Sequence, residues 1–241
     1  IRTSIEATLV MYGSNNQIVY NSLSKNPIVE EEFEFRIAGN NINFSSNDIE
    51  GDINFVSKYG VVSFNTIKGS LTTTSDDCFF YNNLFTDSLY GGFRVAGSNN
   101  IICRNVLDHF GYGLTVSGVG NKAMLNNISY CRIGISPSPD STLYANYIAN
   151  NEWTINAHNA IMNPNGNLSF LIHNNFVDNR YYTVQTMVMP NTTDYFDNGK
   201  QGNYWSSYRG SDSNGDGVGD SPFFLDPTHL DRYPLMAPFN L

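Results

Sequence analysis

The sequence predicts an all-β fold, a right-handed, single-stranded parallel β-helix (solenoid) that ends in an irregular aromatic C-terminal cap. Three observations predict it: an Asn-led motif recurs about every 20 residues, a Gly-led motif keeps step with it, and the C-terminal segment changes to an aromatic, Asp- and Gly-rich composition. We therefore expect irregular strands or first turns in residues 1–40, regular turns in 41–189 and a cap in 190–241.

The Asn-led motif is an Asn followed by a variable, usually apolar residue. Its frames begin at Asn47, Asn65, Asn83, Asn105, Asn127, Asn146 and Asn175. Turns of this length, built from short β-branched and aromatic runs separated by Asn, Gly and Ser, are typical of a coil with three strands per turn. When turns stack, residues of the same type lie above one another and form ladders. We expect Asn at the corners, because it tolerates the left-handed backbone conformation and its amide both donates and accepts.

Two further patterns refine the coil. Apolar residues two positions after the Asn are expected to form one stripe of the core: Ile49, Ile67, Phe85, Leu107 and Ile148. The Gly-led motif begins at Gly92, Gly113 and Gly134, in phase with the Asn frames. The long spacing before Asn175 predicts an inserted loop around residues 157–167 that leaves the coil.

The C-terminal segment contains a loop with the spacing of calcium ligands. Oxygen-bearing residues occupy loop positions 1, 3, 5, 7 (a main-chain carbonyl) and 9, namely Asp212, Asn214, Asp216, Val218 and Asp220. Position 12 is Phe223 instead of the Glu of an EF-hand, so Asp226 or Asp231 would have to complete the shell. The sequence predicts a structural calcium ion that couples metal binding to folding, with a metal-free Asp/Gly turn as the alternative.

Large aromatic rings accompany this loop, and we expect them to cover the open end of the core: Tyr204, Trp205, Phe223 and Phe224. The run from Asn203-Tyr204-Trp205-Ser206 through the loop to Asp231-Arg232-Tyr233-Pro234-Leu235-Met236 resembles the C-terminus of NosD-like (CASH-type) β-helix proteins. The Asn-corner turns between Asn41 and Asn175 are similar to that family's turns. The resemblance implies a right-handed β-helix, as in exported archaeal and bacterial surface proteins and in a copper-delivery factor of nitrous oxide reductase.

The composition of the chain disfavours some classes of binding partner. The 13 basic and 22 acidic residues give a formal charge of −9, which disfavours nucleic acid and other polyanions. No stretch has the 18 or more apolar residues of a membrane span. The chain begins at Ile1 without Met or a signal peptide, which we interpret as a processed or trimmed product, and we expect a secreted or cell-surface location. Candidate glycosylation sequons fit this interpretation and begin at Asn43, Asn127, Asn167 and Asn191.

Cysteine usage suggests neither a disulfide framework nor a zinc site. Cys78, Cys103 and Cys131 are an odd number and have no CxxC spacing. We expect buried free thiols.

Asp108-His109 is the best candidate for acid/base chemistry. Asp140, Asp178 and Arg180 could lie on nearby turns, which would give a set like that of a polysaccharide lyase, epimerase or glycosidase. Two arguments favour a solvent-facing structural pair instead: Lys is scarce in the coil, and adjacent residues of a strand face opposite sides. Exposed rings could alternatively bind a polysaccharide without catalysis.

The leading hypothesis is a non-catalytic extracellular structural or adhesion protein. Strand-like residues 5–10 invite head-to-tail self-association into a fibre or sheath, or binding to other surface proteins. A third hypothesis is copper delivery through the thioethers of Met187 and Met189.

Overall fold

The computed structural model describes residues 9–24, 34–88, 91–138, 140–156, 170–183, 196–227 and 229–240. Its strands form three parallel sheets that wind as a β-solenoid, so the predicted parallel β-helix is confirmed. The regular secondary structure of the described residues is entirely β. Within these ranges no helix is long and apolar enough to cross a membrane.

Each turn of the coil contributes one strand to each sheet, in the chain order A, B, C. Sheet A contains β1 (Leu9–Tyr12), β4 (Glu34–Asn40), β7 (Asp52–Lys58), β10 (Leu71–Thr73), β13 (Phe93–Ala96), β16 (Tyr112–Ser117), β19 (Ile133–Ser136), β22 (Trp153–Ile155) and β25 (Tyr181–Thr183). Sheet B contains β2 (Gln17–Val19), β5 (Asn43–Ser45), β8 (Val61–Ser63), β11 (Phe79–Tyr81), β14 (Ile101–Cys103), β17 (Lys122–Met124), β20 (Thr142–Tyr144) and β23 (Phe170–Ile172).

Sheet C contains β3 (Ser22–Ser24), β6 (Asp48–Glu50), β9 (Thr66–Lys68), β12 (Leu84–Ser88), β15 (Val106–Phe110), β18 (Asn127–Ser129), β21 (Tyr147–Ala149), β24 (Asn175–Val177) and β26 (Tyr204–Trp205). A two-stranded antiparallel hairpin, β27 (Phe223–Phe224) and β28 (Leu230–Asp231), lies in the C-terminal segment. The corners are named A–B, B–C and C–A after the sheets that they join.

The core is the space enclosed by the three sheets. The predicted stripe of Ile49, Ile67, Phe85, Leu107 and Ile148 is fully buried and lies in register on sheet C. Side chains alternate along each short strand, so the middle residue of a sheet B or C strand points inward while its neighbours face outward. Each buried aliphatic or aromatic side chain stabilises the fold by about 1.5–3 kcal/mol relative to exposure.

A ladder of Asn side chains, exposed at Asn21 and buried from Asn47 onward, follows the B–C corner through every turn. Its members are Asn21, Asn47, Asn65, Asn83, Asn105, Asn126, Asn146, Asn174 and Asn203. Each Oδ1 accepts the main-chain N–H and the Nδ2 of the Asn one turn earlier. The predicted frames at Asn127 and Asn175 are wrong by one residue, because in each pair of adjacent Asn the first points inward.

The predicted left-handed Asn is found at the other corners, at Asn15, Asn41, Asn99 and Asn150, but at the B–C corner the left-handed position differs from the prediction. It belongs to the residue before the ladder Asn, with φ between 54° and 60°, at Tyr20, Ser46, Phe64, Asn82, Arg104, Leu125, Ala145 and His173. The Asn must point inward to join the ladder, so the residue before it makes the sharp bend. The bend accepts many residue types, from the exposed Phe64 to the fully buried Ala145.

Glycines of the second motif lie in the C–A connection or at the start of sheet A strands. A Cβ at Gly113 would lie 2.4 Å from the carbonyl oxygen of Gly134 on the next turn and 2.6 Å from Ile128 Cγ2. The turns therefore approach too closely for any side chain at this position, which explains why the motif keeps step with the Asn ladder.

A first turn of the coil already lies within residues 9–24, inside the segment for which irregular strands or first turns are expected. Strands β1, β2 and β3 already pair in register with β4, β5 and β6. Asn15 and Asn41 are successive corner partners 26 residues apart, whereas later turns are as short as 18 residues. The longer first turn hides the repeat in the sequence.

The cap closes the C-terminal end of the core with stacked rings. Trp205 is 1% exposed, and its ring stacks 4.2 Å from Phe176 and 4.8 Å from Phe223, measured between ring centroids. The prediction of a covering role is confirmed for Trp205, and Phe223 shares it. It is wrong for Phe224, which is 62% exposed.

Candidate functional site

The C–A corner brings the predicted acid/base pair together. His109 Nδ1 lies 2.8 Å from Asp108 Oδ2, and Ser129 Oγ donates to Asp108 Oδ1 over 2.9 Å. The expectation that these neighbours face opposite sides is wrong, because His109 has a left-handed φ of 62° that breaks the alternation of an extended strand. An ionised carboxylate only accepts hydrogen bonds, so Nδ1 carries the proton and Nε2 is the basic nitrogen.

This pair is exposed. The His109 side chain is 61% exposed, and its ring stacks on Tyr130 at 5.1 Å. Both oxygens of Asp108 are used in holding His109 and Ser129. The pair can orient a histidine as a proton acceptor, whereas glycoside hydrolysis uses two carboxyl groups that flank the scissile bond, and the pair supplies one.

The other residues that were predicted to join the pair do not lie next to it. Asp178 lies at the C–A corner with φ 49°, two turns beyond Tyr130, and accepts a hydrogen bond from Ser206 Oγ. Arg180 lies on the same corner, just before β25. Asp140 precedes β20 and therefore lies at the A–B corner, away from the pair.

A row of exposed charged residues runs along the C–A corner beside the pair. Arg132, Glu152 and Arg180 each come just before the register partners Ile133, Trp153 and Tyr181, so they stack on successive turns. Their signs alternate, and within the described residues none of the three forms an ion pair. Sequence reasoning missed Arg132 and Glu152. The signal was a charged residue directly before an apolar strand at the turn spacing.

Aromatic rings border this row. Trp153 and Tyr181 stack with their centroids 4.4 Å apart, and the Arg180 guanidinium lies 4.9 Å from the Tyr181 ring centre. Their stacked faces lie against one another along the coil axis, so ring edges face outward. Tyr112, 45% exposed, lies in the same register row as Ile133.

The Asp/Gly loop of the cap folds around its own carboxylates. Asp212 Oδ1 accepts the N–H groups of Gly215 and Asp216, and Oδ2 accepts that of Gly217. Gly215 and Gly217 have φ of 72° and 83°, a conformation that favours glycine. Val218 bridges to Leu235, which anchors the loop to the end of the cap.

The predicted ligands are arranged only partly as a metal shell. Asp220 Oδ2 accepts hydrogen bonds from the Ser211 hydroxyl and from the N–H and hydroxyl of Ser213. These hydrogen bonds, above all the one from the Ser213 side chain, hold the pKa of Asp220 below its ordinary value. Within the described ranges no three His, Cys, Asp or Glu side chains gather as a metal-binding group. The oxygens of Asp212, Asn214, Asp216 and Asp220 nevertheless suit calcium chemically, since calcium takes carboxylate and amide oxygens as ligands.

Neither acid expected to complete the shell is oriented for it. Asp226 accepts from the N–H and Nδ1 of His229. Asp231 is fully buried and continues the Asn ladder: its Oδ2 accepts the Asn203 N–H over 2.7 Å and the Trp205 Nε1–H over 2.9 Å. Burial raises the pKa of Asp231 to about 6, against the lowering effect of these donors.

An ion pair holds the cap beside Asp231. Arg232 donates from Nε and from a terminal nitrogen to the two oxygens of Asp197, whose side chain is 3% exposed. Burial alone would raise the pKa of Asp197, but the hydrogen bonds from Arg232 outweigh it and hold the pKa below its ordinary value.

Other predicted residues fall on different surfaces. Asn127 is exposed on the outer face of sheet C, whereas Asn43 on sheet B is half-buried. Cys78 and Cys131 are buried free thiols as expected, and Cys103 is half-buried and free. The predictions at Asn167, Asn191, Met187, Met189, residues 5–8 and the inserted loop lie outside the described residues.

Comparisons with known proteins add no assignment to this geometry. The chain matches no protein-family model and no curated protein.

Proposed function

We propose that this protein is a non-catalytic, exported β-helix of the NosD-like type that works as a structural or adhesion rod. The observation that carries the proposal is the continuous Asn ladder, which passes through every turn from Asn21 and ends on the buried carboxylate of Asp231. Fully satisfied buried amide networks rigidify a structure. Asn is the most abundant polar residue of the chain, and it forms this ladder. A coil stabilised in this way is suited to hold its outer surfaces at a fixed spacing.

Features of the C–A corner support a non-catalytic role over an enzyme. Asp108 is occupied by His109 and Ser129, and the imidazole is exposed to water. General acid/base catalysis of glycan cleavage uses two groups with separated roles around the scissile bond. The copper-delivery hypothesis depends on Met187 and Met189, and no described residue favours it.

Localisation and turnover together test this proposal. Antibody labelling of intact source cells is expected to detect the protein at the surface, and incubation with neutral and acidic polysaccharides is expected to give no shortened or unsaturated products. Product formation that is lost in Asp108→Ala and His109→Ala would establish the enzyme instead. Exclusive recovery inside cells would contradict the exported role.

We also propose that the Asp/Gly loop binds a structural calcium ion. Asp212, Asp216 and Asp220 place three carboxylates on one short loop, where their mutual repulsion would be relieved by a divalent cation. Removing calcium with EDTA is expected to lower the melting temperature of the purified protein by several degrees, because metal binding to the native state adds to its stability.

A matched pair of variants sharpens the calcium test. Asp216→Ala should abolish the EDTA effect, whereas Asp48→Ala, at an exposed position of sheet C, should keep it. Calorimetry with calcium alone measures the binding directly. Equal melting temperatures with and without calcium in the unaltered protein would rule the ion out.

A further inference from the structure

We propose that the outer face of sheet B binds a second copy of this chain, with the two coils side by side, parallel and related by a two-fold axis. This contact is lateral, so it differs from head-to-tail stacking at the ends of the coil. It goes beyond the function proposed above and applies to a structural rod and to an enzyme alike. Two observations carry it: the face is apolar where it is open to water, and the corners on its two sides carry charges of opposite sign.

The outer face of sheet B is mostly apolar. Each of its eight strands has a buried middle residue, and the residues on either side of it lie on the outer side. Ten of these outer residues are aliphatic, aromatic or sulfur-bearing, namely Val19, Val61, Phe79, Tyr81, Ile101, Cys103, Met124, Tyr144, Phe170 and Ile172. Among the outer residues of these described strands only Lys122 is charged. The outer face of sheet C, by contrast, includes the charged residues Asp48, Glu50, Lys68 and Asp108.

The middle of this face is open to water. Phe79 is 46% exposed and lies in register between Val61 and Ile101 on the neighbouring turns. Tyr59 and Phe64, at the two corners beside β8, are 57% and 56% exposed. Apolar side chains that lie together on a surface gain free energy when a partner covers them, and such patches mark interaction sites.

One end of the face is covered by the chain itself. Phe239 of the C-terminal tail packs against Tyr144 and His173, with ring centroids 5.8 Å and 4.3 Å apart. Its main chain also exchanges two hydrogen bonds with the side chain of Asn175. This end of the face therefore holds an apolar group from outside the coil, and the turns around Phe79 continue the same surface.

The size of the face suits a small specific interface. Turns of a parallel coil are about 4.8 Å apart, so eight strands extend over roughly 35 Å along the axis. Two outer positions on each strand, together with the exposed corner residues, approach the roughly 20–30 residues per side of a standard interface. A two-fold contact uses the same patch on both copies, so one such face is sufficient. We expect a dissociation constant in the micromolar range.

Charge favours a second copy in the parallel orientation. A chain that carries −9 repels its own copies, so they approach best through a face without acids. A two-fold axis parallel to the coils places the A–B corner of one copy beside the B–C corner of its partner. The charged residues of the described A–B corner are all acids, Asp76, Asp77 and Asp140, and the one charge of the described B–C corner is Arg104.

Arg104 and Asp76 are the best placed of these charges. They lie on neighbouring turns, both are exposed, and neither forms an ion pair within the described residues. Asp77, by contrast, pairs with Lys58 of its own chain at 3.8 Å. The parallel arrangement brings Arg104 of each copy to Asp76 of the other, so the pair forms twice in one dimer.

The first test is sedimentation velocity of the full chain over a range of concentrations, which is expected to show monomers in equilibrium with dimers. Phe79→Asp places a carboxylate in the middle of both faces and should raise the dissociation constant at least about tenfold. The matched control is Leu84→Asp, which changes a residue that is 39% exposed on the outer face of sheet C. This control should form dimers as the parent does. Circular dichroism confirms that each variant is folded.

Cys103 supplies a second readout. Its thiol is free and half-buried on the outer face of sheet B, whereas Cys78 and Cys131 are buried. A partner that covers the face should slow alkylation of Cys103 several-fold as the protein concentration rises through the dissociation constant. The labelling is done at alkaline pH, because burial raises the pKa of the Cys103 thiol. Mass spectrometry identifies the labelled cysteine.

A charge swap tests the parallel orientation. Arg104→Glu should weaken the dimer, since it places an acid beside Asp76 of the partner, and adding Asp76→Lys should restore most of the affinity. A double variant as weak as Arg104→Glu alone would overturn this orientation.

Three further results would overturn the interface itself: a monomer at every concentration, a dimer that Phe79→Asp leaves unchanged, or alkylation of Cys103 that does not depend on concentration. A monomer whose Cys103 is protected only by an added second protein would assign the face to that protein instead. Each of these results leaves the cell-surface and turnover tests of the proposed function unaffected.

Discussion

Replacing Asn105 by Leu is expected to lower the free energy of unfolding by about 4 kcal/mol. Asn105 Oδ1 accepts the N–H and Nδ2 of Asn83, and its Nδ2 donates to Asn126 Oδ1 and to the Phe80 carbonyl. Leu has a similar volume but supplies none of these bonds. Four groups lose this hydrogen-bond partner, and each buried group that is left unsatisfied costs about 1–3 kcal/mol.

The matched control is Asn127→Leu, which changes the same residue type on the exposed face of the next turn. It is expected to change stability by less than about 0.5 kcal/mol. Asn105→Asp separates the ladder's two functions, because a carboxylate keeps the acceptors and loses the donors, and we expect it to be as damaging as Leu at neutral pH. Urea titration followed by circular dichroism measures all three. Equal stability of Asn105→Leu and Asn127→Leu would contradict a supporting role for the ladder.

The coil could be predicted because certain positions of its repeat require a particular type of residue, and these residue types recur in the sequence. Asn is needed wherever a buried side chain must donate twice and accept twice, and an apolar residue two positions later must fill the core. Where two Asn are adjacent, as at Asn126-Asn127 and Asn174-Asn175, either can begin the motif by composition alone. The distance to the inward Ile128 and Phe176 decides between them.

The sites were less predictable because they depend on backbone geometry that composition does not record. The corner residue before each ladder Asn can be Phe64, Leu125 or Ala145, so residue type gives no sign of the left-handed turn. The same turn at His109 brings its ring back to Asp108, which strand alternation forbids. Asp231 resembled a remote calcium ligand, but it lies 28 residues after Asn203, the separation that also joins Asn146 to Asn174. That spacing was the available signal for a ladder position.

Asp231 makes the stability of the cap depend on pH, and Asp231→Asn is expected to expose this dependence. The pKa of Asp231 is raised by burial from 3.8 to about 6, so the folded protein holds the proton more tightly than the unfolded chain. Its stabilising contribution is fully present below about pH 3.8 and is lost as the pH rises through about 6. The whole loss is about 3 kcal/mol, from a shift of roughly two pKa units at 1.36 kcal/mol each.

The amide in Asp231→Asn does not titrate. The variant can therefore be compared with the parent at each pH, and it should gain about 3 kcal/mol relative to the parent between pH 3.8 and 7. Any fixed cost of placing an amide N–H against the N–H of Tyr233 shifts this difference equally at every pH.

Asp197→Asn provides a control of opposite sign. Hydrogen bonds from Arg232 hold the pKa of Asp197 below its ordinary value, so its contribution is present above that value and is lost as the pH falls. The Asp197 variant should therefore lose stability relative to the parent as the pH rises, while the Asp231 variant gains it. If the stability difference between Asp231→Asn and the parent did not change with pH, the surrounding N–H groups would stabilise the Asp231 carboxylate enough to offset its burial. Opposite slopes in the two variants would instead show that burial dominates at the ladder's end and hydrogen bonding at the part-buried ion pair beside it.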